Sequence, residues 1–480
     1  MEKDVKSKAV SGLFWKFAER ICAQGVSFVL SVILARLLMP EDYGIVALVL
    51  VFIDIANVFV STGLGESLVQ KKDATTEDFS TVFYCNLGFT FVLYVILFFS
   101  APYIAQFYKS DLLTMLVRVL SLKLIITGMN SIQHAYVQKN MLFRRFFYST
   151  IIGTVVSGVV GVFMAYRGFG VWSLVAQYLI NSTMDTIVLF VTVKWRPTFE
   201  FSSKSAKELI GYGWKITAAS LLTVGYNKLR TLIIGKLYST ADLAYYNKGE
   251  QLPALLVNNI DSSINSVMLP VYASMNDHIE VVHDRLRATI RLETYCLFPL
   301  IAGLAGVGEI LIRVLLTEKW MACVPYMAIL CVYYAYVPVS TASSAAIKAI
   351  GKSKVFLKSE SYKRTIYIVI LLMSVRYGVM AIALTNIVTV VIGFIVAGFF
   401  LKRYLAYSFK EQLADILPAL SMSLIMAVIV FWIGKLPIMD IARLGIQILV
   451  GVVVYLFLSI ITKNTSLKIT VEYLKKFLHK

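Results

Sequence analysis

Ionisable side chains inside long apolar stretches are the residues of this 480-residue chain that could do chemistry. A charge at bilayer depth is costly and normally faces water, an opposite charge or a bound ligand. At a rise of about 1.5 Å per residue, Arg20 lies roughly 13 Å, and Lys123 roughly 17 Å, from the ends of their helices. Phosphate is the obvious anion for such lysines and arginines to hold. The predicted cationic site consists of Arg20, Arg118, Lys123, Lys215 and Lys228.

Acidic side chains are fewer in the apolar stretches, and three of them are candidates for coupling transport to H⁺ or Na⁺. These are Asp54, Glu250 and Asp261. Glu250 and Asp261 are eleven residues apart, which brings them within about 20° of each other around a helix. Asp54 shares a helical stripe with Asn57 and Ser61, a pattern that is also typical of hydrogen bonding between membrane helices. We expect no cofactor and no metal.

Some of these charges also have a purely structural interpretation. Lysine and arginine near the end of a span extend toward the membrane surface, and Glu19 and Arg20 are neighbours that could form an ion pair. Arg20, Lys123, Lys215 and Lys228 remain the strongest candidates after this comparison. The five cysteines form no CxxC pair and lie in or beside apolar segments, so we interpret them as small buried residues.

The sequence contains no motif of a known catalytic centre. It has no G-x-x-x-x-G-K-[ST] phosphate-binding loop, which argues against ATP-driven transport by this chain itself. The four histidines form no H-E-x-x-H motif. The longest loops are about fifteen residues, too short for the extramembrane domain of a typical membrane glycosyltransferase. That enzyme is the weakest alternative, and we predict that the chain is not an enzyme.

The elements that position these charges are predicted to be membrane-spanning helices. Hydrophobic residues make up 58% of the chain and charged residues 15%, against about 45–50% and about 25% in soluble domains. About 20 mainly apolar residues are needed to cross roughly 30 Å of hydrocarbon. The composition predicts an all-α polytopic membrane protein with about fourteen transmembrane helices. The segments are 11–38, 42–66, 79–106, 112–138, 145–166, 170–193, 208–236, 243–273, 288–316, 322–350, 355–375, 378–401, 412–434 and 438–462.

The basic residues between these segments predict the orientation of the chain. The formal net charge is +18, and most loop lysines and arginines fall in alternate loops, on the side that includes both termini. This positive-inside bias predicts that both termini are cytoplasmic in a multi-pass inner-membrane protein. Nucleic acid is not an expected partner, since the charges follow the loops. A C-terminal amphipathic tail is expected to lie along the lipid bilayer.

An internal repeat predicts two lobes. Trp15-Lys16 recurs as Trp214-Lys215 at an offset of 199 residues, and Asp42 recurs as Asp242 at an offset of 200. Six helices per copy place both copies in the same orientation, related by an axis along the membrane normal. Such lobes could enclose an alternating-access cavity. The predicted domains are an N-lobe at 1–195, a cytoplasmic linker at 196–207, a C-lobe at 208–403, two further helices at 404–463 and a cytoplasmic tail at 464–480.

Five segments together resemble the polysaccharide-transporter branch of the multidrug/oligosaccharidyl-lipid/polysaccharide (MOP) flippase superfamily. The resemblance extends over essentially the whole chain and is specific only in combination, because each segment alone is a weak signal. The subgroup it resembles most exports colanic acid, teichuronic acid or similar exopolysaccharide units. The segments are 11–16 (Ser-Gly-Leu-Phe-Trp-Lys), 34–44 (ending Pro-Glu-Asp-Tyr-Gly), 63–70 (Gly-Leu-Gly-Glu-Ser-Leu-Val-Gln), 168–175 (Gly-Phe-Gly-Val-Trp-Ser-Leu-Val) and 268–272 (Met-Leu-Pro-Val-Tyr).

This resemblance implies a flippase that moves undecaprenyl-pyrophosphate-linked oligosaccharides across the bacterial inner membrane, driven by an ion gradient. It supports lipopolysaccharide, exopolysaccharide or teichuronic acid biosynthesis as the pathway, with a polysaccharide polymerase and glycosyltransferases as partners, and a monomer as the expected state. Two relatives are alternatives: lipid II flippases and cation-coupled multidrug exporters. The multidrug exporters usually have twelve spans and an acidic cavity, which the basic bias of this chain disfavours.

Overall fold

The computed structural model describes residues 2–61, 64–71, 73–275, 278–464 and 466–467. These residues form sixteen α-helices and two 3₁₀ turns, at Glu318–Cys323 and Val375–Tyr377, with no β-strand among them. The helices are α1 (Glu2–Leu37), α2 (Pro40–Ser61), α3 (Leu64–Gln70), α4 (Thr76–Tyr108), α5 (Leu112–Leu120), α6 (Leu122–Lys139), α7 (Phe143–Tyr166), α8 (Val171–Thr192), α9 (Ser203–Leu237), α10 (Thr240–Ala273), α11 (Ile279–Leu316), α12 (Val324–Ala349), α13 (Ser353–Ser374), α14 (Val379–Leu405), α15 (Phe409–Ile433) and α16 (Asp440–Ile461).

Each predicted span coincides with one helix or with two consecutive helices, which confirms the all-α membrane fold. Within the described ranges, ten stretches are long and apolar enough to cross a membrane by length and composition. Three of them join consecutive elements: α2 with α3, α5 with α6, and the 3₁₀ turn Glu318–Cys323 with α12. The helices α1, α9, α10 and α13 are not among the ten. The number of fourteen spans therefore stays a prediction.

The turn that follows the first helix has the same local structure in both copies of the sequence repeat. α1 ends at Leu37 and α9 at Leu237, 200 residues apart. Asp42 accepts a hydrogen bond from the backbone N–H of Met39 (3.1 Å), and Asp242 accepts one from the backbone N–H of Ser239 (3.3 Å). An acid that accepts from the residue three positions earlier fixes the start of the next helix. The repeat is thus a repeated helix–turn–helix start.

Capping motifs written in the sequence begin two other helices. Thr75 and Asp78 form a reciprocal capping box at the start of α4, and Ser408 and Glu411 form another at the start of α15. In each box, the hydroxyl of the first residue accepts a hydrogen bond from the backbone N–H of the acid. The carboxylate of the acid accepts one from the backbone N–H of the first residue. The capping bonds themselves join residues that are three positions apart in the chain.

The chain divides into two compact units, and unit 1 is Met1–Ala244. Its principal packing partners are α7 with α8, α1 with α7, α4 with α6, and α2 with α9. A Cβ on Gly235 of α9 would overlap the side chain of Leu48 in α2, and one on Gly44 would overlap the carbonyl oxygen of Thr240. Glycine at these two positions lets the backbones approach closely. α9 therefore packs against α2 within unit 1.

Unit 2 is Tyr245–Lys480. Its central helix is α11, which packs against α12, α15 and α16, while α14 packs against α12 and α13. The boundary between the units thus follows α9, whereas the sequence predicts a second lobe that starts at residue 208. The lobes, the linker and the last pair of helices stay predictions. Residues 468–480 of the predicted tail lie outside the described part of the chain.

Candidate functional site

The centre of the candidate site in unit 1 is an ion pair between α2 and α9. The Nζ atom of Lys228 lies 2.7 Å from Oδ2 of Asp54. The side chains are 34% and 38% exposed, respectively, so neither is sealed in the protein interior. The close packing of α2 against α9 brings these residues together, although they lie far apart in the sequence. Both were predicted from the sequence, but as members of separate cationic and ion-coupling sets.

Lys123 on α6 adds a second positive charge to this pair. It lies within electrostatic range of both Asp54 and Lys228, and its Nζ atom is 5.3 Å from the centre of the Tyr178 ring on α8. The aromatic face offers a lysine a weak attraction that does not neutralise its charge. Two cations and one acid leave the group of Asp54, Lys123, Tyr178 and Lys228 with one net positive charge. We call this group the α2–α9 cluster.

The other predicted cations are not placed in the α2–α9 cluster. Arg118 on α5 has its guanidinium 4.4 Å from the centre of the Phe98 ring, and its Nε donates to the carbonyl oxygen of Phe98 (3.2 Å). These contacts place Arg118 against α4. The side chains of Arg20 and Lys215 lie outside the part of the chain that the structure describes. Their membership of the site stays a prediction.

An apolar cleft lies beside the start of α9 in unit 1. Its volume is about 220 Å³. Trp214, the tryptophan of the second sequence repeat, contributes to its wall and is exposed. The other lining residues come from α2, α3, α4 and α9: Phe59, Leu64, Phe89, Ile210, Gly213, Thr217, Ala218 and Leu221. Such a lining can hold a hydrocarbon chain.

The predicted acids of α10 lie in unit 2 and both face α12. Glu250 accepts a hydrogen bond from the hydroxyl of Tyr334 (3.0 Å). Asp261 accepts one from the hydroxyl of Thr341 and one from Nδ2 of Asn265 (2.9 Å). Their common direction agrees with the angle that their eleven-residue spacing predicts. The partners of both acids in these bonds are neutral donors.

Sequence reasoning missed Glu293, which lies beside Asp261. Its side chain is 0% exposed, and neither carboxyl oxygen has a hydrogen-bond partner among the described residues. Asp261 is close enough to interact with it electrostatically. A buried ionised carboxylate without partners is very costly. The available signal was the position of Glu293 well inside a long helix, but it falls near the charged start of a predicted span.

A second polar group, which lies outside the predicted site residues, joins α6 and α8 in unit 1. Asp185 accepts hydrogen bonds from Nδ2 of Asn130 (2.5 Å) and from Nε2 of His134 (2.9 Å). Its two partners are one helical turn apart on α6, so a single face of that helix meets the acid. These bonds tie α6 to α8 and thereby support the position of Lys123.

Comparison with known proteins identifies the family. Residues 33–325 match the family described as polysaccharide biosynthesis proteins, and this range covers more than half of the chain. The chain belongs to that family. The matched range includes every predicted site residue except Arg20.

Relatives of this family member align with most of its length. The chain is 22% identical to the teichuronic acid biosynthesis protein TuaB of Bacillus subtilis over 464 residues, which cover 95% of this chain and 96% of TuaB. It is 22% identical to the lipopolysaccharide biosynthesis protein WzxC of Escherichia coli, with 90% of this chain and 88% of WzxC covered. The succinoglycan biosynthesis transport protein ExoT of Rhizobium meliloti is 23% identical, with 69% of this chain and 67% of ExoT covered.

Solved structures with the same fold are transporters. The lipid II flippase MurJ in an inward closed conformation aligns with a TM-score of 0.72 and 17% identity, covering 94% of this chain and 99% of MurJ. An inward-facing multidrug resistance MATE family transporter of the MOP superfamily aligns with a TM-score of 0.61 and 16% identity. The alignment covers 79% of this chain and 95% of the MATE chain. The family and its relatives, one of which is named a transport protein, confirm the predicted resemblance and the prediction of a transporter that is not an enzyme. The solved structures confirm the predicted multi-pass helical fold.

Proposed function

We propose that this protein flips an undecaprenyl-pyrophosphate-linked oligosaccharide from the cytoplasmic to the outer leaflet of the bacterial inner membrane. The cargo would be a repeat unit for a surface polysaccharide. Family membership and relatives named for teichuronic acid, lipopolysaccharide and succinoglycan biosynthesis support this proposal. The observation that carries it is the partly exposed, net positive α2–α9 cluster.

The α2–α9 cluster can exchange one anion for another. Asp54 neutralises Lys228 when no cargo is bound, because their charged atoms are 2.7 Å apart. A diphosphate that enters beside Lys123 and Lys228 would compete with Asp54 for the ammonium group, and Lys123 would stabilise its second charge. Asp54 then acts as a removable counter-ion, which its pairing favours over an ion-coupling role. When the diphosphate is released, Asp54 pairs with Lys228 again.

Two further elements complete the proposed binding of a lipid-linked cargo. The apolar cleft beside Trp214 is suited to part of an isoprenoid chain, since its walls are almost entirely hydrocarbon and aromatic. Arg20 and Lys215 belong to the proposal on sequence grounds, because both are cations within predicted spans. The sequence repeat relates Lys215 to Lys16.

Energy coupling is assigned to the acids of unit 2. Glu250 and Asp261 receive hydrogen bonds from neutral donors, so each can take up a proton or a small cation without displacing a salt bridge. Glu293 beside Asp261 extends this set. Coupling is tested in proteoliposomes: export of labelled lipid-linked cargo should follow an imposed H⁺ or Na⁺ gradient. It should lose that dependence when Asp261 is replaced by Asn.

Deletion of the gene separates a flippase from an enzyme. Without the protein, the complete lipid-linked oligosaccharide should accumulate in the inner leaflet, with its sugar structure unaltered. Extraction of the lipid carriers followed by mass spectrometry measures this directly. Accumulation of a shortened sugar would indicate a transferase and would contradict the proposal.

A lipid II flippase is the second candidate, favoured by the structural likeness to MurJ. Depletion then distinguishes the cargo: loss of surface polymer with normal peptidoglycan supports the proposed function, whereas cell lysis with trapped lipid II supports the alternative. If the protein were a multidrug exporter, its depletion would leave the surface polymer and the peptidoglycan intact and would make the cells more sensitive to toxic cations.

The proposed membrane topology places both termini in the cytoplasm. Reporter enzymes active on only one side of the membrane, fused after residues 200 and 480, should both report the cytoplasm. A periplasmic signal at either position would contradict the two-lobe arrangement. The proposed partners are a polysaccharide polymerase and glycosyltransferases, and the proposed state of the protein is a monomer.

A further inference from the structure

A second pocket lies in unit 2, where α15 begins and α16 ends. Its volume is about 290 Å³. One part of its wall is apolar and comes from Tyr295, Pro418 and Ala419. The polar part comes from α11, α15 and the residues that follow α16: Arg291, Asp415, Thr462, Lys463, Asn464 and Ser466. We call this cavity the α11–α15–α16 pocket.

The single acid of the α11–α15–α16 pocket is already neutralised. The Asp415 side chain is 0% exposed and accepts hydrogen bonds from Nε of Arg287 (2.8 Å), Nε of Arg291 (2.6 Å) and the hydroxyl of Tyr407 (2.9 Å). Burial, and then the neighbouring Asp415 carboxylate, raise the pKa of Tyr407 above its usual range, so this hydroxyl stays a donor. Asp415 therefore leaves no free negative charge in the pocket.

Two cations remain available to a ligand. Arg291 uses Nε and Nη2 on Asp415, its side chain is 43% exposed, and a guanidinium has further N–H donors. Lys463 is exposed and lines the pocket, and no residue in the described ranges forms an ion pair with it. The backbone N–H of Ser466 donates to Oδ1 of Asn464 (2.9 Å), which fixes the turn that carries Lys463. A guanidinium held by Asp415 and an exposed ammonium in the same pocket are a suitable pair for a phosphate.

The form of the pocket points to an amphiphile rather than a free ion. Its apolar wall continues into the membrane-spanning parts of α15 and α16, where Leu417 and Ile461, the neighbours of two lining residues, are each more than half exposed. A phosphate held by Arg291 and Lys463 would thus have hydrocarbon surface directly beside it. Anionic phospholipids carry that combination of a negative headgroup and acyl chains.

We propose that the α11–α15–α16 pocket binds the headgroup phosphate of an anionic phospholipid. Arg291 and Lys463 contact the phosphate, and Tyr295, Pro418 and Ala419 contact the glycerol backbone and the first acyl carbons. This site goes beyond the proposed transport function, because it shares no residue with the α2–α9 cluster and holds a resident lipid instead of the cargo. It anchors the last two helices to the headgroup region on the side that the loop charges predict to be cytoplasmic.

Lipid titration of the purified full-length protein in mild detergent tests the site. Phosphatidylglycerol is added in steps, and native mass spectrometry counts the bound molecules. We expect Lys463→Gln to weaken the tightest phosphatidylglycerol association about fivefold, the effect of roughly 1 kcal/mol for one basic residue at a membrane surface. Lys410→Gln is the matched control, because Lys410 is an exposed lysine in the first turn of α15 and does not line the pocket. It should leave the affinity unchanged.

Two further arms distinguish the source of the phosphate. Phosphatidylcholine should bind more weakly than phosphatidylglycerol, and millimolar inorganic phosphate should not displace phosphatidylglycerol. Displacement by inorganic phosphate would overturn the lipid assignment in favour of a free phosphate. If the wild-type protein and Lys463→Gln bind phosphatidylglycerol with equal affinity, the pocket is not the binding site. The same conclusion follows if Lys410→Gln loses as much affinity as Lys463→Gln. The partners of Asp415 are Arg287, Arg291 and Tyr407, so replacement of Lys463 tests the proposal without removing a partner of that buried acid.

Discussion

In unit 1 the predicted site residues Asp54 and Lys228 pair with each other, whereas in unit 2 Glu250 and Asp261 are held by hydroxyl and amide donors. An acid paired with a lysine keeps its charge and can yield the lysine to another anion. An acid held by neutral donors has no permanent counter-ion, so a proton or a small cation can supply one. The two units thus place the residues proposed for anion binding and those proposed for ion coupling in different surroundings.

Asp415 offers the largest test of this difference, since it is a buried acid of unit 2 with ionic partners. Asp415→Ala removes the acceptor for Arg287, Arg291 and Tyr407. We expect a loss of about 3 kcal/mol in the free energy of unfolding, because two arginines lose their buried partner. Thermal unfolding of the purified protein in detergent measures it. Glu309→Ala is the control, because Glu309 forms an exposed pair with Arg313 and should cost less than about 1 kcal/mol. Equal costs would mean that burial of the acid adds nothing.

Replacement of Lys228 tests the anion-binding half of the comparison. Lys228→Ala should lower the export rate about tenfold to a hundredfold at normal protein abundance, since one charge-assisted contact contributes roughly 1.5–3 kcal/mol. Lys228→Arg should retain much of the activity, and Asp54→Asn should be milder than Lys228→Ala. The rate is measured as surface polymer produced per unit of protein.

Lys207→Ala on the same helix is the control for Lys228, because Lys207 is exposed and lies outside the α2–α9 cluster. It should export normally. If Asp54→Asn and Lys228→Ala lose export and stability to the same extent, the ion pair is only a brace between α2 and α9.

Replacement of Arg118 tests whether a charge at membrane depth necessarily belongs to the anion-binding site. Its contacts with Phe98 indicate a structural position, so Arg118→Gln should cost about 0.5–1 kcal/mol of stability and leave the export rate per folded molecule unchanged. Comparison of protein abundance with polymer yield measures both quantities. A tenfold loss of export at full abundance would return Arg118 to the anion site.

Glu293 should show the smallest effect on stability. Glu293→Gln keeps the size of the side chain and removes any charge, so the free energy of unfolding should change by less than about 0.5 kcal/mol if the buried carboxyl is neutral. Export driven by an ion gradient should nevertheless fall, since the glutamine amide does not take up and release a proton as a carboxyl group does. Thermal unfolding in detergent measures the change in stability, and gradient-driven transport in proteoliposomes measures the change in export. A large stabilisation would reveal an ionised Glu293, while unchanged export would remove it from the coupling set.

The sequence predicted most of the helices and only part of the site. Apolar stretches, capping boxes such as Thr75 with Asp78, and the Asp42 and Asp242 turns act over a few residues, so their signals are readable from the chain. The depth of Lys123 and Lys228 was readable for the same reason. Glu293 was missed because the sequence does not reveal which neighbouring helices cover a polar side chain.

The sequence by itself determined the helical membrane fold, the internal repeat and the set of charged residues at membrane depth. Each follows from local hydrogen bonding, the 3.6-residue helical period and the cost of exposing polar groups to hydrocarbon. Only the tertiary structure decided that Asp54 meets Lys228, that Arg118 lies against Phe98, that α9 packs in unit 1, and that Asp415 is neutralised by α11. These contacts join helices distant in the chain, and helix–helix packing depends on small complementary differences in surface shape that no local sequence pattern records.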